Sequence, residues 1–329
     1  RSCHPCLDVA KPLSGMFSGN SCAFGVCMSW SDRVMASLDE RATVLETARG
    51  DVQLAREGQG PPVLAVHGGP GGFDQGLAYC RHLRDGGCEV LAPSRPGYLR
   101  TPLESGRTPE DQADLYAAAL DALGIERAAI LGFSTGGPSA VQFAARHHDR
   151  TTALFLDTAI LLPFQPPIGA LRRATLESSF FVWLSYLMVT RWPELMTRFV
   201  IDGVSRDLSK EHREEATNWI VSHPALLQSM REQFASIAPK KARERGWVND
   251  QINEQDLAPL PFASVSAPTL IAHGANDAIV PLEHATNAAA NITDAELIIV
   301  EEGHHLLSLS RSYEPVAQRQ LELLARSSQ

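Results

Sequence analysis

Three residue types that together turn an alcohol into a nucleophile occur here in one order and in similar settings. Ser134 lies in Gly132-Phe133-Ser134-Thr135-Gly136-Gly137, Asp277 in the His273 to Pro281 stretch, and His304 directly after Gly303. Each follows a short apolar run that reads as a strand: Ala128 to Leu131, Pro268 to Ala272 and Glu296 to Val300. A serine hydroxyl is a poor nucleophile at neutral pH. It needs a base to take its proton, and the base needs an acid to orient it. The chemistry implied is attack of Ser134 on an acyl carbonyl, with His304 as base and Asp277 as its orienting acid.

Each partner has a rival. Asp157 also follows an apolar run, Ala153 to Leu156, but a loop or helix cap explains it as well, so Asp277 is preferred. His305 competes with His304. Gly303 supplies a sharp turn that would aim the next side chain inward, which favours His304. For the serine the setting decides. A Gly-x-Ser-x-Gly string is common by chance, but this one joins an apolar run to a helical pattern, Ala140 to Ala145. That is the strand–turn–helix of a nucleophile elbow. Glycines at 132 and 136 remove side chains that would collide with neighbouring backbone.

A second glycine-rich loop follows the run Pro62 to Val66: His67-Gly68-Gly69-Pro70-Gly71-Gly72. It lacks the Gly-Lys-Ser/Thr ending of a nucleotide-binding loop. The other use of such a loop is to aim a backbone N–H at a reacting carbonyl. Pro70 has no N–H, so Gly69 is the candidate, with the N–H of Thr135 as the second oxyanion donor. His67 reads as a brace for the loop.

These loops need a scaffold. Strand-like runs at 62–66, 89–92, 128–131, 153–156, 268–272 and 296–300 alternate with helical patterns at 75–84, 109–123, 282–290 and 313–325. Thr108 is the expected N-cap of the second of these helices, and Gly124 follows its end. Repeated strand–helix units predict a mostly parallel sheet flanked by helices, with functional groups at the carboxyl ends of the strands. Thr43 to Ala48 and Val52 to Arg56 around Arg49-Gly50-Asp51 read as a β-hairpin, and the turn accounts for that tripeptide without an adhesion role. Between about 161 and 262 the alternation stops. This stretch is helical in composition, broken at prolines and rich in aromatics. It is expected to lie over the sheet as a cap, with a subset of its aromatics over Ser134. Phe133, Phe181 and Trp183 are the candidates for substrate contact.

Composition narrows the function classes. A net charge of −9 over 329 residues, with four lysines and no basic block, argues against a nucleic-acid partner. No apolar run reaches the roughly 18 to 20 residues of a membrane span. Of six cysteines, Cys3, Cys6, Cys22 and Cys27 crowd the first 27 residues. Cys22 and Cys27 are spaced wider than is usual for zinc ligands, the segment has no periodic structure to hold them, and no metal site is assigned there. Residues 1–34 are expected to be a disordered or non-native extension, with Met35 the more natural start. The segment lacks the layout of a secretory signal, and the expected location is the cytoplasm.

Taken together, the loops at 67–72, 94–98, 132–137, 273–281 and 303–304 resemble, in order, those of α/β-hydrolase-fold serine hydrolases from about residue 43 onward. The resemblance implies an α/β-hydrolase core at 35–160 and 263–329, a helical cap at 161–262, and no metal or organic cofactor. It implies a carboxylesterase- or lipase-like enzyme acting on a small-molecule ester, with a homodimer left open. Three other readings stand beside it. One is a proline iminopeptidase-like aminopeptidase, whose glycine-rich loop is shared. Its cap pattern resembles Trp-x-x-Trp-Glu, whereas Trp219 is followed by Ile220, Val221 and Ser222. Another is a cofactor-free perhydrolase, which the 133–137 stretch also resembles. The last is a non-catalytic binding protein on the same fold.

Overall fold

The computed structural model describes residues 28–165 and 178–327. One eight-stranded sheet runs through it in the order β1-β2-β4-β3-β5-β6-β7-β8. The strands are Thr43–Leu45, Val52–Glu57, Pro62–Val66, Glu89–Pro93, Ala128–Phe133, Thr151–Asp157, Thr269–Gly274 and Glu296–Val300, numbered β1 to β8. The β1–β2 and β2–β4 pairs are antiparallel; every other pair is parallel. The Arg49-Gly50-Asp51 turn closes the expected β1–β2 hairpin.

The parallel strands are apolar throughout because both faces are covered. In β3, Val63 and Ala65 face one core while Leu64 and Val66 face the other; in β5, Ala129 and Leu131 oppose Ala128 and Ile130. Side chains of a strand point alternately to its two faces, so each strand feeds both cores. Helices Trp30–Asp39 (α1), Phe73–Tyr79 (α2), Arg81–Asp85 (α3) and Glu314–Ser327 (α12) surround the first core. Helices Pro109–Ala122 (α4), Gly137–Arg146 (α5) and Glu283–Asn291 (α11) close the second. A fully buried Val, Leu or Phe contributes roughly 1.5–3 kcal/mol, which makes this double core the main source of stability. Helix α4 starts where its sequence says it should. Thr108 accepts from the N–H of Asp111, whose carboxylate accepts in return from Thr108, and Pro109 fills the first turn.

Two expectations need correction. The pattern at 75–84 is two short helices, α2 and α3, meeting at Cys80. The boundary at residue 34 falls inside α1. Ser29 caps that helix in a reciprocal box with Asp32, and Val34 and Leu38 are buried in the first core. The fold therefore takes in residues before Met35. Residues 1–27, with four of the cysteines, lie outside the described residues.

Between β6 and β7 the chain forms the helices Ser179–Arg191 (α6), Pro193–Val204 (α7), Lys210–Ser222 (α8), Pro224–Ala235 (α9) and Glu244–Gln255 (α10). They share a small core of Val189, Val200, Ile201, Ile220 and Met230, joined by Leu309 from the sheet domain. Two of the ties between this layer and the core border the loops that the sequence singles out. The Val204 carbonyl accepts from the N–H groups of both Ala278 and His305. The 239–250 stretch packs on the 67–72 and 94–99 loops, where Gly246 donates to the Gly97 carbonyl and Leu99 to that of Ala242. No helix of the described residues is long and apolar enough to cross a membrane.

Candidate active site

Strand β5 ends at Phe133, and Ser134 turns the chain with φ of +52°. For a residue other than glycine this is a strained conformation, of the kind that persists only where the surroundings enforce it. The surroundings here are crowded. A Cβ on Gly132 would lie 2.7 Å from that of Ala140, and one on Gly136 would lie 2.4 Å from the Val66 carbonyl oxygen. Both glycines are sterically required, as the sequence pattern indicates. The turn feeds α5, and Ser134 is 4% exposed.

His305, not His304, meets the serine. Its Nε2 lies 3.1 Å from Ser134 Oγ, and its Nδ1 lies 2.8 Å from Asp277 Oδ2. A carboxylate can only accept, so Nδ1 carries the proton and Nε2 is left as the acceptor for the serine hydroxyl. The other carboxylate oxygen of Asp277 accepts from the N–H groups of Ile279 at 2.7 Å and Val280 at 2.9 Å. Burial by itself would raise this carboxyl, but His305 beside it and the backbone donors leave it below its ordinary value.

The expectation for His304 is thus overturned, and the reason is the job of Gly303. A Cβ on Gly303 would lie 2.8 Å from the Gly274 Cα, and one on Gly274 would lie 2.5 Å from the Gly303 carbonyl carbon. The glycine lets two strand ends touch; it does not aim the next side chain. The inward position falls one residue later, where His305 is fixed at both ends of its backbone. Its N–H donates to Val204, and its carbonyl accepts from Thr158 Oγ1 at 3.2 Å. His304 is buried without a hydrogen-bond partner for either ring nitrogen among the described residues. Burial pushes it down to about 4, so it is neutral at physiological pH.

Asp157, the rival acid, lies at the end of β6 and away from this pair. It accepts from Tyr79 at 3.1 Å, Tyr313 at 2.8 Å and Gln320 at 3.2 Å. Tyr79 stacks on Phe133 at 4.2 Å between ring centroids, and Phe133 in turn packs beside His305 at 5.4 Å. Phe133 is therefore a wall behind the histidine. Of the two cap aromatics, Phe181 is half-buried, whereas Trp183 is 36% exposed and pairs with Phe180, itself 70% exposed. The aromatic run of α6 is not turned as a unit toward Ser134.

The 67–72 loop reaches the elbow through Gly68, where a Cβ would lie 3.1 Å from that of Ser134. His67 braces it as expected: Nδ1 donates to the Gly68 carbonyl at 2.6 Å, and Nε2 accepts from the Arg95 N–H at 2.9 Å. Burial and the neighbouring Arg95 guanidinium hold His67 well below its ordinary value, so it stays neutral. Neither Gly69 nor Thr135 spends its N–H on a backbone carbonyl in the loops and turns of the described residues.

Sequence reasoning misses the groups around this loop. Arg95 is buried and forms a forked pair with Asp250 of α10, at 2.7 and 2.6 Å. Tyr98 donates to the same carboxylate. Arg243, equally buried, donates to the Gly71 carbonyl and pairs with Asp74 at 2.8 Å. Trp247 lies against Gly69, 2.9 Å from where a Cβ would stand. Glu254 is buried next to Asp250; burial and that negative neighbour push it up to about 8, so it keeps its proton near neutral pH. Arg95 and Tyr98 lie in the motif at 94–98, which marks the loop but not their partners. Nothing in the cap sequence singles out Asp250.

Comparisons with known proteins agree with this architecture. Residues 61–311 match the family model described as the alpha/beta hydrolase fold. The chain is 37% identical to an alpha/beta hydrolase fold protein from Nakamurella multipartita, whose structure superposes with a TM-score of 0.82 over 88% of this chain and 100% of the other. It is 26% identical over 269 residues to an uncharacterized hydrolase of Bacillus subtilis (strain 168), covering 80% of this chain and 90% of that protein. It is 28% identical over 260 residues to a 2-hydroxymuconate semialdehyde hydrolase of Pseudomonas putida, covering 77% and 83%. With an eight-stranded, mostly parallel sheet between two helical layers and a serine at the strand–helix elbow, the chain belongs to the alpha/beta hydrolase fold family.

Proposed function

We propose that the protein is a serine hydrolase that cleaves carboxylic esters through an acyl-enzyme. The observation that carries this reading is the unbroken line from Ser134 Oγ through His305 to Asp277, at 3.1 and 2.8 Å. In the proposed cycle His305 Nε2 takes the proton as Ser134 Oγ attacks the ester carbonyl. Asp277 holds the imidazole in the tautomer with Nδ1 protonated and stabilises its charged form. The N–H groups of Gly69 and Thr135 receive the oxyanion of the tetrahedral intermediate. Losing one such donor typically costs about 3 kcal/mol of barrier. The protonated His305 then delivers its proton to the leaving alcohol, and a water activated the same way releases the acid.

A fluorophosphonate probe and a series of p-nitrophenyl esters of graded acyl length test this directly. Wild type should label at Ser134 and turn over, and Ser134→Ala should do neither. Folded wild-type protein that does not label would sink the enzyme reading.

A second reading has a specific support: the relative named a 2-hydroxymuconate semialdehyde hydrolase. On that reading the same triad would hydrolyse a carbon–carbon bond in a 2-hydroxy-6-oxo-dienoate. Following the absorbance of such a ring-fission product separates the two. A kcat/KM on the dienoate well above that on every ester would replace the ester assignment.

A further inference from the structure

The two oxyanion donors sit on different loops, one after β3 and one after β5, and have to converge on one atom. Two buried arginines hold the first loop, Arg95 at the His67 and Gly68 carbonyls and Arg243 at the Gly71 carbonyl. Arg95 comes from the sheet domain and pairs with a carboxylate of the cap, Asp250. Arg243 comes from the cap and pairs with a carboxylate of the sheet domain, Asp74. The pairs are reciprocal, and both are nearly inaccessible to solvent.

Arg95 is the more informative of the two. Its Nε donates to the His67 carbonyl at 3.0 Å, and its Nη2 lies 3.4 Å from the Gly68 carbonyl oxygen. The same Nη2 donates to Thr135 Oγ1 at 2.6 Å. The carbonyl of Gly68 and the N–H of Gly69 belong to one planar trans peptide and point opposite ways. Turning that carbonyl toward Arg95 and His67 turns the Gly69 N–H away from them. Holding the Thr135 side chain fixes the residue that carries the other donor. A guanidinium suits the task because its donors lie in a rigid plane, and Asp250 engages both terminal nitrogens while its Oδ2 also accepts from Thr135 Oγ1 at 3.4 Å.

We propose that Arg95, clamped by Asp250 of the cap, is the positioning residue that aims both oxyanion donors, the N–H groups of Gly69 and Thr135. The proposal rests on the serine hydrolase reading. It adds that the foot of the cap is a working part of the oxyanion hole.

The test compares wild type with Arg95→Lys, which keeps the charge and loses the planar fork, and with Thr135→Val, which removes one arm of the contact. Three quantities are read with a short p-nitrophenyl ester: kcat, KM, and inhibition by a trifluoromethyl ketone that forms a tetrahedral adduct on serine. The free carboxylic acid product serves as a ground-state control. Arg95→Lys should lower kcat about 100-fold, the order expected when an oxyanion donor is misplaced, and weaken the ketone by a similar factor. KM and product inhibition should stay within about twofold. Thr135→Val should show the same pattern at about tenfold, and it stands alone if Arg95→Lys does not fold. Ketone and product weakened equally, or a kcat unchanged in both variants, would overturn the positioning role. Wild-type turnover and labelling of Ser134 report separately on the hydrolase reading, so the two failures are told apart.

Discussion

Two buried carboxylates end adjacent parallel strands, and they are opposites. Asp157 closes β6 and Asp277 follows β7, the strand paired to it. Both are almost fully buried. Asp277 faces His305, which can carry charge, and two backbone N–H groups, and its carboxyl is lowered despite burial. Asp157 faces two phenols and an amide; burial dominates, and its carboxyl is pushed up to about 6 in spite of those donors. The contrast teaches what makes an acid useful at a strand end. Depth is common to both; the difference lies in whether the partner can become a cation.

The largest expected effect breaks the comparison at its catalytic side. His305→Ala and Asp277→Asn should each lower kcat by about 10⁴-fold or more, the latter by leaving the imidazole in the wrong tautomer. Asp157→Asn should stay within about tenfold of wild type, since it touches neither His305 nor Ser134. Steady-state rates on a p-nitrophenyl ester decide it, and equal losses at the two aspartates would erase the distinction. His304→Ala belongs with the mild variants, and a loss matching that of His305→Ala would reverse the assignment of the base.

A smaller effect concerns stability. A carboxyl raised to about 6 in the folded state binds its proton more tightly there than in the unfolded chain. Stability from Asp157 is therefore greatest in acid and falls as pH rises from about 4 to 6, by roughly 2–3 kcal/mol. Asp277 has the opposite sign: its contribution is present above the ordinary carboxyl value and is lost as pH falls through its lowered one. Urea unfolding at pH 4.5 and 7.5 should show Asp157→Asn gaining relative to wild type at the higher pH. A pH-independent difference between the two proteins would contradict the burial argument. The smallest effect is Tyr313→Phe, which removes the shorter phenol donor. It should cost about 1 kcal/mol, more at pH 7.5 than at pH 4.5, by the same measurement.

Much of this architecture is legible in the amino-acid sequence. The strand–helix alternation, the two glycine loops and the elbow follow from local sterics, and a linear sequence displays those directly. The preference for Asp277 over Asp157 is readable only in part, because both aspartates follow the nucleophile, precede the histidines and close an apolar run; what favours Asp277 is that a loop or helix cap accounts for Asp157. The sequence points to His304 rather than His305 because a glycine has two uses. One is to turn the chain; the other is to let distant backbone come close. Only the contact between Gly303 and Gly274 reveals which applies. Asp250 is invisible in the sequence for a related reason. It acts on Arg95 across 155 residues of chain, and helix α10 carries no local pattern that marks one of its carboxylates as buried. The cap aromatics mislead differently. Apolar composition around all sides of α6 does not say which side meets the sheet, and Phe180 and Trp183 lie on the outside.

The bond from Val204 to both Ala278 and His305 bears on how such a protein can be rebuilt. Caps are natural modules to exchange when a new substrate range is wanted, and the obvious cut sites are the ends of β6 and β7. Cutting there would carry off the carbonyl that ties the acid loop to the histidine loop, along with the arginine and aspartate that grip the 67–72 loop. A graft that spares the chain near 204–206 and 239–255 replaces only the roof. One that removes those stretches takes part of the foundation with it.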